Sequence, residues 1–191
     1  MISGKSVLAI IPAREGSRRC PEKNWTIYTN KSTGKSDSLI GWAISHARAS
    51  KYIDTIAISS DSDLILNYAK PPIIPVRLPA HIAEGSSESA IAFTLYFIPQ
   101  IGEHHIPHHD LLVLLQPTSP LRLPSDIDAC IELSSARDIG ITSCRPDRSL
   151  NGAVYSCPTT RFLSTLKLGG DYYVMPHDRS LDIDLPVDFL R

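Results

Sequence analysis

The run Leu111-Leu112-Val113-Leu114-Leu115 contains no polar side chain, and Pro117 stops it two residues later. A strand with one face in water alternates polar and apolar residues. A strand without that alternation must be covered on both faces, as the central strand of a parallel sheet is. Ser6-Val7-Leu8-Ala9-Ile10-Ile11, stopped by Pro12, has the same character. A chain with two such strands needs helices on both sides of its sheet.

The intervening segments supply them. Over residues 38–49, Leu39, Ile40, Trp42, Ala43, Ile44 and Ala47 recur at helical spacing, with Asp37 or Ser38 available as the N-cap. Residues 86–98 repeat the pattern through Ala90, Ile91, Phe93, Thr94 and Phe97, and residues 124–136 form a helix with Pro124 in its first turn. A short helix is expected over 61–69, closed by Pro71-Pro72. Thr55-Ile56-Ala57-Ile58-Ser59, residues 73–78, Ile139-Gly140-Ile141-Thr142-Ser143 and Gly152-Ala153-Val154-Tyr155 read as further strands. This alternation predicts an α/β fold with a mostly parallel twisted sheet and helices on both faces. Ligands of such sheets bind at the carboxyl ends of the strands. With no internal repeat, low-complexity tract or composition shift, residues 1–191 read as one domain.

Composition narrows the function. A hydrophobic fraction of 42%, a charged fraction of 20% and a net charge of −1 exclude a disordered tail and a strongly basic nucleic-acid binder. No apolar run approaches the roughly 20 residues of a spanning helix, and the N-terminus lacks the pattern of a signal peptide. Cys20, Cys130, Cys144 and Cys157 form no C-x-x-C pair, so reduced thiols and a cytoplasmic location are expected.

The near-neutral total conceals an asymmetry. Arg14, Arg18, Arg19 and Lys23 crowd the loop after the first strand, whereas Asp171, Asp178, Asp182, Asp184 and Asp188 dominate the last twenty-one residues. The loop Pro12-Ala13-Arg14-Glu15-Gly16-Ser17-Arg18-Arg19 leaves the carboxyl end of a buried strand. Gly16-Ser17 offers backbone N–H groups, and the four cations could neutralise phosphates; a solvated basic loop is the plainer alternative. Gln116-Pro117-Thr118-Ser119-Pro120-Leu121-Arg122 follows the most apolar strand. Its prolines could aim Gln116, Ser119 and Arg122 at a ligand, or simply turn the chain into a helix capped by Ser125. Ser180-Leu181-Asp182-Ile183-Asp184 alternates, so an extended segment sets Asp182 and Asp184 on one side, as a shared hard cation requires. Alternatively, Asp184 caps a turn at Pro186.

Three other features carry less. Gly34-Lys35-Ser36 lacks the earlier glycine of a P-loop, with Thr29 in its place. His104, His105, His108 and His109 flank Ile106-Pro107, in what reads as an exposed loop. Cys20 has no identifiable base beside it.

Together, Ile11-Pro12-Ala13-Arg14-Glu15-Gly16-Ser17-Arg18-Arg19 with Lys23-Asn24, Leu114-Leu115-Gln116-Pro117-Thr118-Ser119-Pro120-Leu121-Arg122, and Ser180-Leu181-Asp182-Ile183-Asp184 resemble the N-acylneuraminate cytidylyltransferases. The similarity keeps register from about Val7 to Phe189. It implies a Rossmann-like nucleotidyltransferase fold and the transfer of CMP from CTP to the anomeric hydroxyl of a sialic-acid-like keto sugar acid, with release of pyrophosphate. By that resemblance Ala13, Arg14, Gly16, Ser17, Arg18, Lys23, Asn24 and Arg77 bind the nucleotide. Gln116, Ser119 and Arg122 serve the sugar side, Asp182 and Asp184 carry Mg²⁺ or another divalent cation, and Arg14, Lys23 and Asp184 are catalytic. CTP and a sugar acid are the expected partners, without nucleic acid or membrane.

The chain also departs from the family pattern. The acid that relatives carry near Gly85-Ser86 is absent, and an extra leucine, Leu78, separates Arg77 from Pro79. Cys144-Arg145-Pro146-Asp147-Arg148-Ser149-Leu150-Asn151 joins two strands directly, where relatives insert the extension that builds the homodimer and completes the partner's sugar site. A different acceptor, or a nucleotide-binding subunit without turnover, are the competing readings.

Overall fold

The first strand, β1 (Val7–Pro12), separates two layers of core. Val7, Ala9 and Ile11 belong to one apolar cluster, Leu8 and Ile10 to another on the opposite face. That division is why the strand can afford no polar position. The computed structural model describes residues 1–17, 19–97 and 109–191.

After β1 come a small hairpin, β2 (Ile27–Thr29) and β3 (Ser36–Ser38), and α1 (Leu39–Ala49). Then follow β4 (Thr55–Ser60), α2 (Asp63–Leu66), β5 (Ile74–Arg77), α3 (Ala80–Ala83) and α4 (Ser87–Phe97). The second half contains β6 (Leu111–Leu114), α5 (Pro124–Arg137), β7 (Ile141–Cys144), β8 (Leu150–Pro158), α6 (Thr159–Thr165) and β9 (Asp171–Val174). Seven strands form one sheet in the order β5-β4-β1-β6-β8-β7-β9. β5, β4, β1 and β6 are mutually parallel, as are β7 and β9. β8 runs antiparallel to both of its neighbours, β6 and β7.

Ile40, Ala43 and Ala47 of α1 and Ile127, Cys130 and Ile131 of α5 cover one face, and Ala90 and Ile91 of α4 with Phe162 of α6 cover the other. The mostly parallel, doubly covered sheet expected from the sequence is therefore present.

Local details differ. The helix expected over 61–69 is a single α-turn, α2, and only Ser62 precedes it as N-cap. Ser38 does cap α1, its hydroxyl accepting from the Gly41 N–H at 3.1 Å. α5 is capped not by Ser125 but by Leu123, whose N–H is taken by the Asp126 carboxylate at 2.8 Å. The hairpin β2–β3, helix α6 and strand β9 carry too few periodic residues to be read ahead of the fold. β7 and β8 are joined by residues 145–149, a turn closed by the Arg145 N–H on the Ser149 carbonyl at 2.8 Å. All four cysteines are buried and unpaired. His109 is buried and bonded to Thr55 at 2.8 Å, while His104, His105 and His108 lie outside the described residues. No helix among the described residues is long and apolar enough to cross a membrane.

Candidate active site

The carboxyl ends of β1 and β6 open onto a cleft of about 600 Å³. Ala13, Arg14, Ser17, Arg19, Lys23 and Asn24 line one side and Gln116, Pro117 and Thr118 the floor, while the α3–α4 connection, with Gly85, Ser86 and Ser87, faces them. Each parallel strand ends here by donating its chain to a loop, which is why the sequence places its polar motifs directly after its most apolar runs.

The basic loop is tied down at several points. The Ala13 N–H extends the ladder to the Ser59 carbonyl at 3.0 Å. The Glu15 N–H bonds to the Asp61 carboxylate at 3.0 Å, and the Ser17 N–H closes a tight turn on the Glu15 carbonyl at 3.0 Å. Buried Asn24 donates its side-chain amide to the Arg14 carbonyl at 2.8 Å. Arg14 itself has no hydrogen-bond or ion-pair partner for its guanidinium among the described residues, leaving that charge directed to the cleft it lines.

The fold brings the basic loop and the acidic segment together. Arg19 contacts both oxygens of Asp184 at 3.2 Å. Lys23, whose side chain is only 12% exposed, donates to the same carboxylate at 3.2 Å and to the Ile183 carbonyl at 3.0 Å. The Ile183 N–H in turn bonds to the Thr118 carbonyl at 2.8 Å. Ile183 is fully buried against Tyr28 and Leu39, so Asp182 and Asp184 flank an anchored apolar residue. The segment has no regular secondary structure and lies outside the sheet. The turn after it, residues 186–190, is capped by Asp188 and not by Asp184: the Asp188 carboxylate accepts the N–H groups of Asp184 at 3.0 Å and Leu185 at 2.8 Å.

Burial raises the Asp182 carboxyl above the usual carboxylate range, with the Asp184 charge adding to the rise and Lys23 and Arg145 opposing it. Asp182 and Asp184 together form a hard, all-oxygen donor set. Among the described residues no group of three His, Cys, Asp or Glu side chains converges to hold a metal. A pair suffices for Mg²⁺, which commonly takes one or two carboxylates and fills its remaining positions with water and phosphate oxygens. The donor set fits that ion.

Other sequence-predicted site residues lie elsewhere. Exposed Gly16 has open space around it and does not line the cleft. Arg77 donates to the Asp61 carbonyl at 2.7 Å and pairs with Asp63, and it is not among the residues that line the cleft, although its neighbour Leu78 is. Ser119 is buried, its hydroxyl 3.5 Å from the Asn151 carbonyl. Arg122 is also fully buried, and its Nη1 bridges the carbonyls of Gln116 at 2.7 Å and Ala153 at 2.8 Å. Its pKa is pushed down to about 9 by burial, which Asp126 partly offsets. Ser119 and Arg122 thus shape the floor from beneath. Arg18 lies outside the described residues.

Sequence reasoning missed Gly152 as a site residue. It has φ +69°, and a Cβ there would sit 2.6 Å from Gln116 Oε1 and 4.0 Å from Asp182 Oδ2. The left-handed backbone favours glycine here, and its lack of a Cβ leaves room for the Gln116 carboxamide, whereas the distance to Asp182 is ordinary contact. Gly152→Ala should lose about 1–2 kcal/mol of stability from the left-handed backbone alone, measured by urea denaturation. It should also displace the Gln116 carboxamide and slow turnover beyond what the lost folded fraction explains.

A seven-stranded sheet of this order carries a basic loop after its first strand, and Asp184 is bonded to two cations of that loop, although neither Asp182 nor Asp184 is itself among the residues lining the cleft. The chain belongs to the cytidylyltransferase family, whose model matches residues 8–142. It is 30% identical over 144 residues to the CMP-N,N′-diacetyllegionaminic acid synthase of Legionella pneumophila, an alignment covering 73% of this chain and 58% of that enzyme. The chain thus matches well under two thirds of that relative's length. Its fold is similar to CMP:2-keto-3-deoxy-manno-octonic acid synthetase in complex with CTP, with a TM-score of 0.66 at 12% identity over 95% of this chain and 94% of that one. It is also similar to Mycobacterium tuberculosis Rv0371c in complex with manganese, with a TM-score of 0.66 at 14% identity over 97% of both chains.

Proposed function

We propose that this chain transfers CMP from CTP to the anomeric hydroxyl of a sialic-acid-like keto sugar acid and releases pyrophosphate. The observation that carries this reading is the meeting of Arg19 and Lys23 with Asp184 at the edge of a cleft that Arg14 enters unpaired. A triphosphate and a divalent cation are the ligands whose charges match the two halves of that arrangement. The product named for the Legionella relative supports the acceptor class, and the CTP and manganese held by the two structural neighbours support the nucleotide and the metal.

In this mechanism Arg14, Ser17 and Lys23 bind the β- and γ-phosphates and stabilise the charge that builds on the leaving pyrophosphate. The acceptor oxygen attacks the α-phosphorus in line, the bond to the β-phosphate oxygen breaks, and the hydroxyl proton passes to water. Asp182 and Asp184 would hold the divalent cation, which would supply charge neutralisation at the phosphates. Asn24 keeps the loop closed by holding the Arg14 carbonyl, and Gln116 presents its carboxamide from the floor beside Asp182. The enzyme works in the cytoplasm under this reading, where CTP is available.

The direct 145–149 turn favours a second reading, an acceptor other than a nine-carbon acid. Pyrophosphate release measured with CTP, UTP and ATP against a panel of keto sugar acids and simpler alcohols tests both. Release that requires CTP and a keto sugar acid is expected. Release with CTP and a simple alcohol only would favour the second reading, and preference for another nucleotide would remove the cytidine assignment.

A further inference from the structure

Asp182 and Asp184 lie outside the sheet, yet the residues just before them are held by buried side chains of α5 and β8. Asp126, in the first turn of α5, is fully buried. Its Oδ1 accepts from Arg179 Nη2 at 2.7 Å and from the Tyr173 hydroxyl at 3.1 Å. Its Oδ2 accepts from Arg179 Nε at 3.1 Å and from the Leu123 N–H at 2.8 Å. Arg179 is thus gripped by both carboxylate oxygens, the fork geometry that holds orientation as well as position. The next residue, Ser180, is held separately: fully buried Asn151 donates to its hydroxyl at 3.3 Å, and that hydroxyl donates to the Pro176 carbonyl at 2.8 Å. Two consecutive residues are therefore fastened to α5 and β8 immediately before Leu181 and Asp182.

Asp126 also offsets a second guanidinium. Arg122, with no carboxylate bonded to it, keeps its Nε and Nη2 buried without partners, and Asp126 is the acid whose charge favours its protonated form. Arg122 in turn bridges the Gln116 and Ala153 carbonyls across the cleft floor. One buried carboxylate thus serves both the segment bearing the acidic pair and the strand end bearing Gln116.

We propose that Asp126 is a positioning residue of the transfer reaction, fixing residues 179–184 through Arg179 so that Asp182 and Asp184 hold their places beside the cleft. The role in metal binding rests on reading those two aspartates as the cation ligands. Partners one step removed from a metal ligand commonly change affinity or activity about 10–100-fold when removed.

The test uses Asp126→Asn together with Arg179→Gln. The second cuts the same tether from the partly exposed side and leaves Asp126 its bonds to Tyr173 and Leu123, so it remains informative if Asp126→Asn does not fold. Mn²⁺ binding to nucleotide-free protein, read by electron paramagnetic resonance, should weaken about 10–100-fold in both variants. Hydrogen exchange at the Ile183 amide should accelerate while β1 amides keep their protection. Arg137→Gln, which removes only the surface pair with Asp171, should change neither. A lowered melting temperature with unchanged Ile183 exchange would overturn the proposal, whatever the metal does. Faster Ile183 exchange together with wild-type Mn²⁺ affinity would confine Asp126 to a structural role and also overturn it. If the unaltered protein and Asp182→Asn bind Mn²⁺ equally, the cation-ligand reading fails, and the exchange measurement alone decides whether the tether exists.

Discussion

Asp182→Asn should melt at a higher temperature than the unaltered metal-free protein while losing about three orders of magnitude in kcat/KM, equivalent to roughly 4 kcal/mol of transition-state stabilisation. The two effects share one cause. Burial raises the Asp182 carboxyl above its ordinary range, and the Asp184 charge adds to it. A carboxyl with a higher pKa in the folded state binds its proton more tightly there than in the unfolded chain. Above both pKa values its charge therefore costs stability. Asparagine keeps the shape and removes the charge. The gain should shrink as pH falls through the raised pKa and vanish below the unfolded value, because the native aspartate is then protonated too. Thermal unfolding across that range, beside pyrophosphate release at neutral pH, measures both effects. A variant that melts lower at neutral pH, or that retains activity, would contradict this account of the residue.

Lys23→Met should lower kcat/KM about 100-fold, in the range of losing one preorganised charge at a reacting phosphate. Lys23 is mostly buried and lines the cleft while bonding to the Ile183 carbonyl and the Asp184 carboxylate, so its position is set before any ligand arrives. Arg19→Gln should cost much less, since its side chain is 68% exposed and its pair with Asp184 is of the screened surface kind. Steady-state kinetics in CTP at low and high salt separates the two: the Arg19 effect should fade with salt, and the Lys23 effect should persist. Equal losses from the two substitutions would contradict the role given to Lys23.

The central sheet was legible because two runs, Val7–Ile11 and Leu111–Leu115, leave no face for water. The cleft could be placed from the polar motifs that follow them. The alternation around Ile183 also translated directly, with the apolar residue buried and the acids beside it. Less could be read where a side chain's task depends on residues far away in sequence. Arg122 looks the same in sequence whether it faces a substrate or clamps two carbonyls, and only the approach of β8 decides that it does the latter. Arg77 is similar, since its ion pair with Asp63 depends on how α2 sits after β4. Gly152 gave one usable hint, a glycine interrupting a strand, which often marks close approach of another group. Asp126 gave none beyond its place in the first turn of a helix. Its partners Tyr173 and Arg179 lie 47 and 53 residues further along the chain.

The most direct measurement of the central claim is the identity of the product. With CTP, Mg²⁺ and a sialic-acid-like keto sugar acid, mass spectrometry and ³¹P nuclear magnetic resonance should reveal one CMP-linked sugar acid, a phosphodiester formed in step with pyrophosphate and absent with Asp182→Asn. Hydrolysis of CTP without that phosphodiester, or CTP binding without turnover for every acid offered, would contradict it.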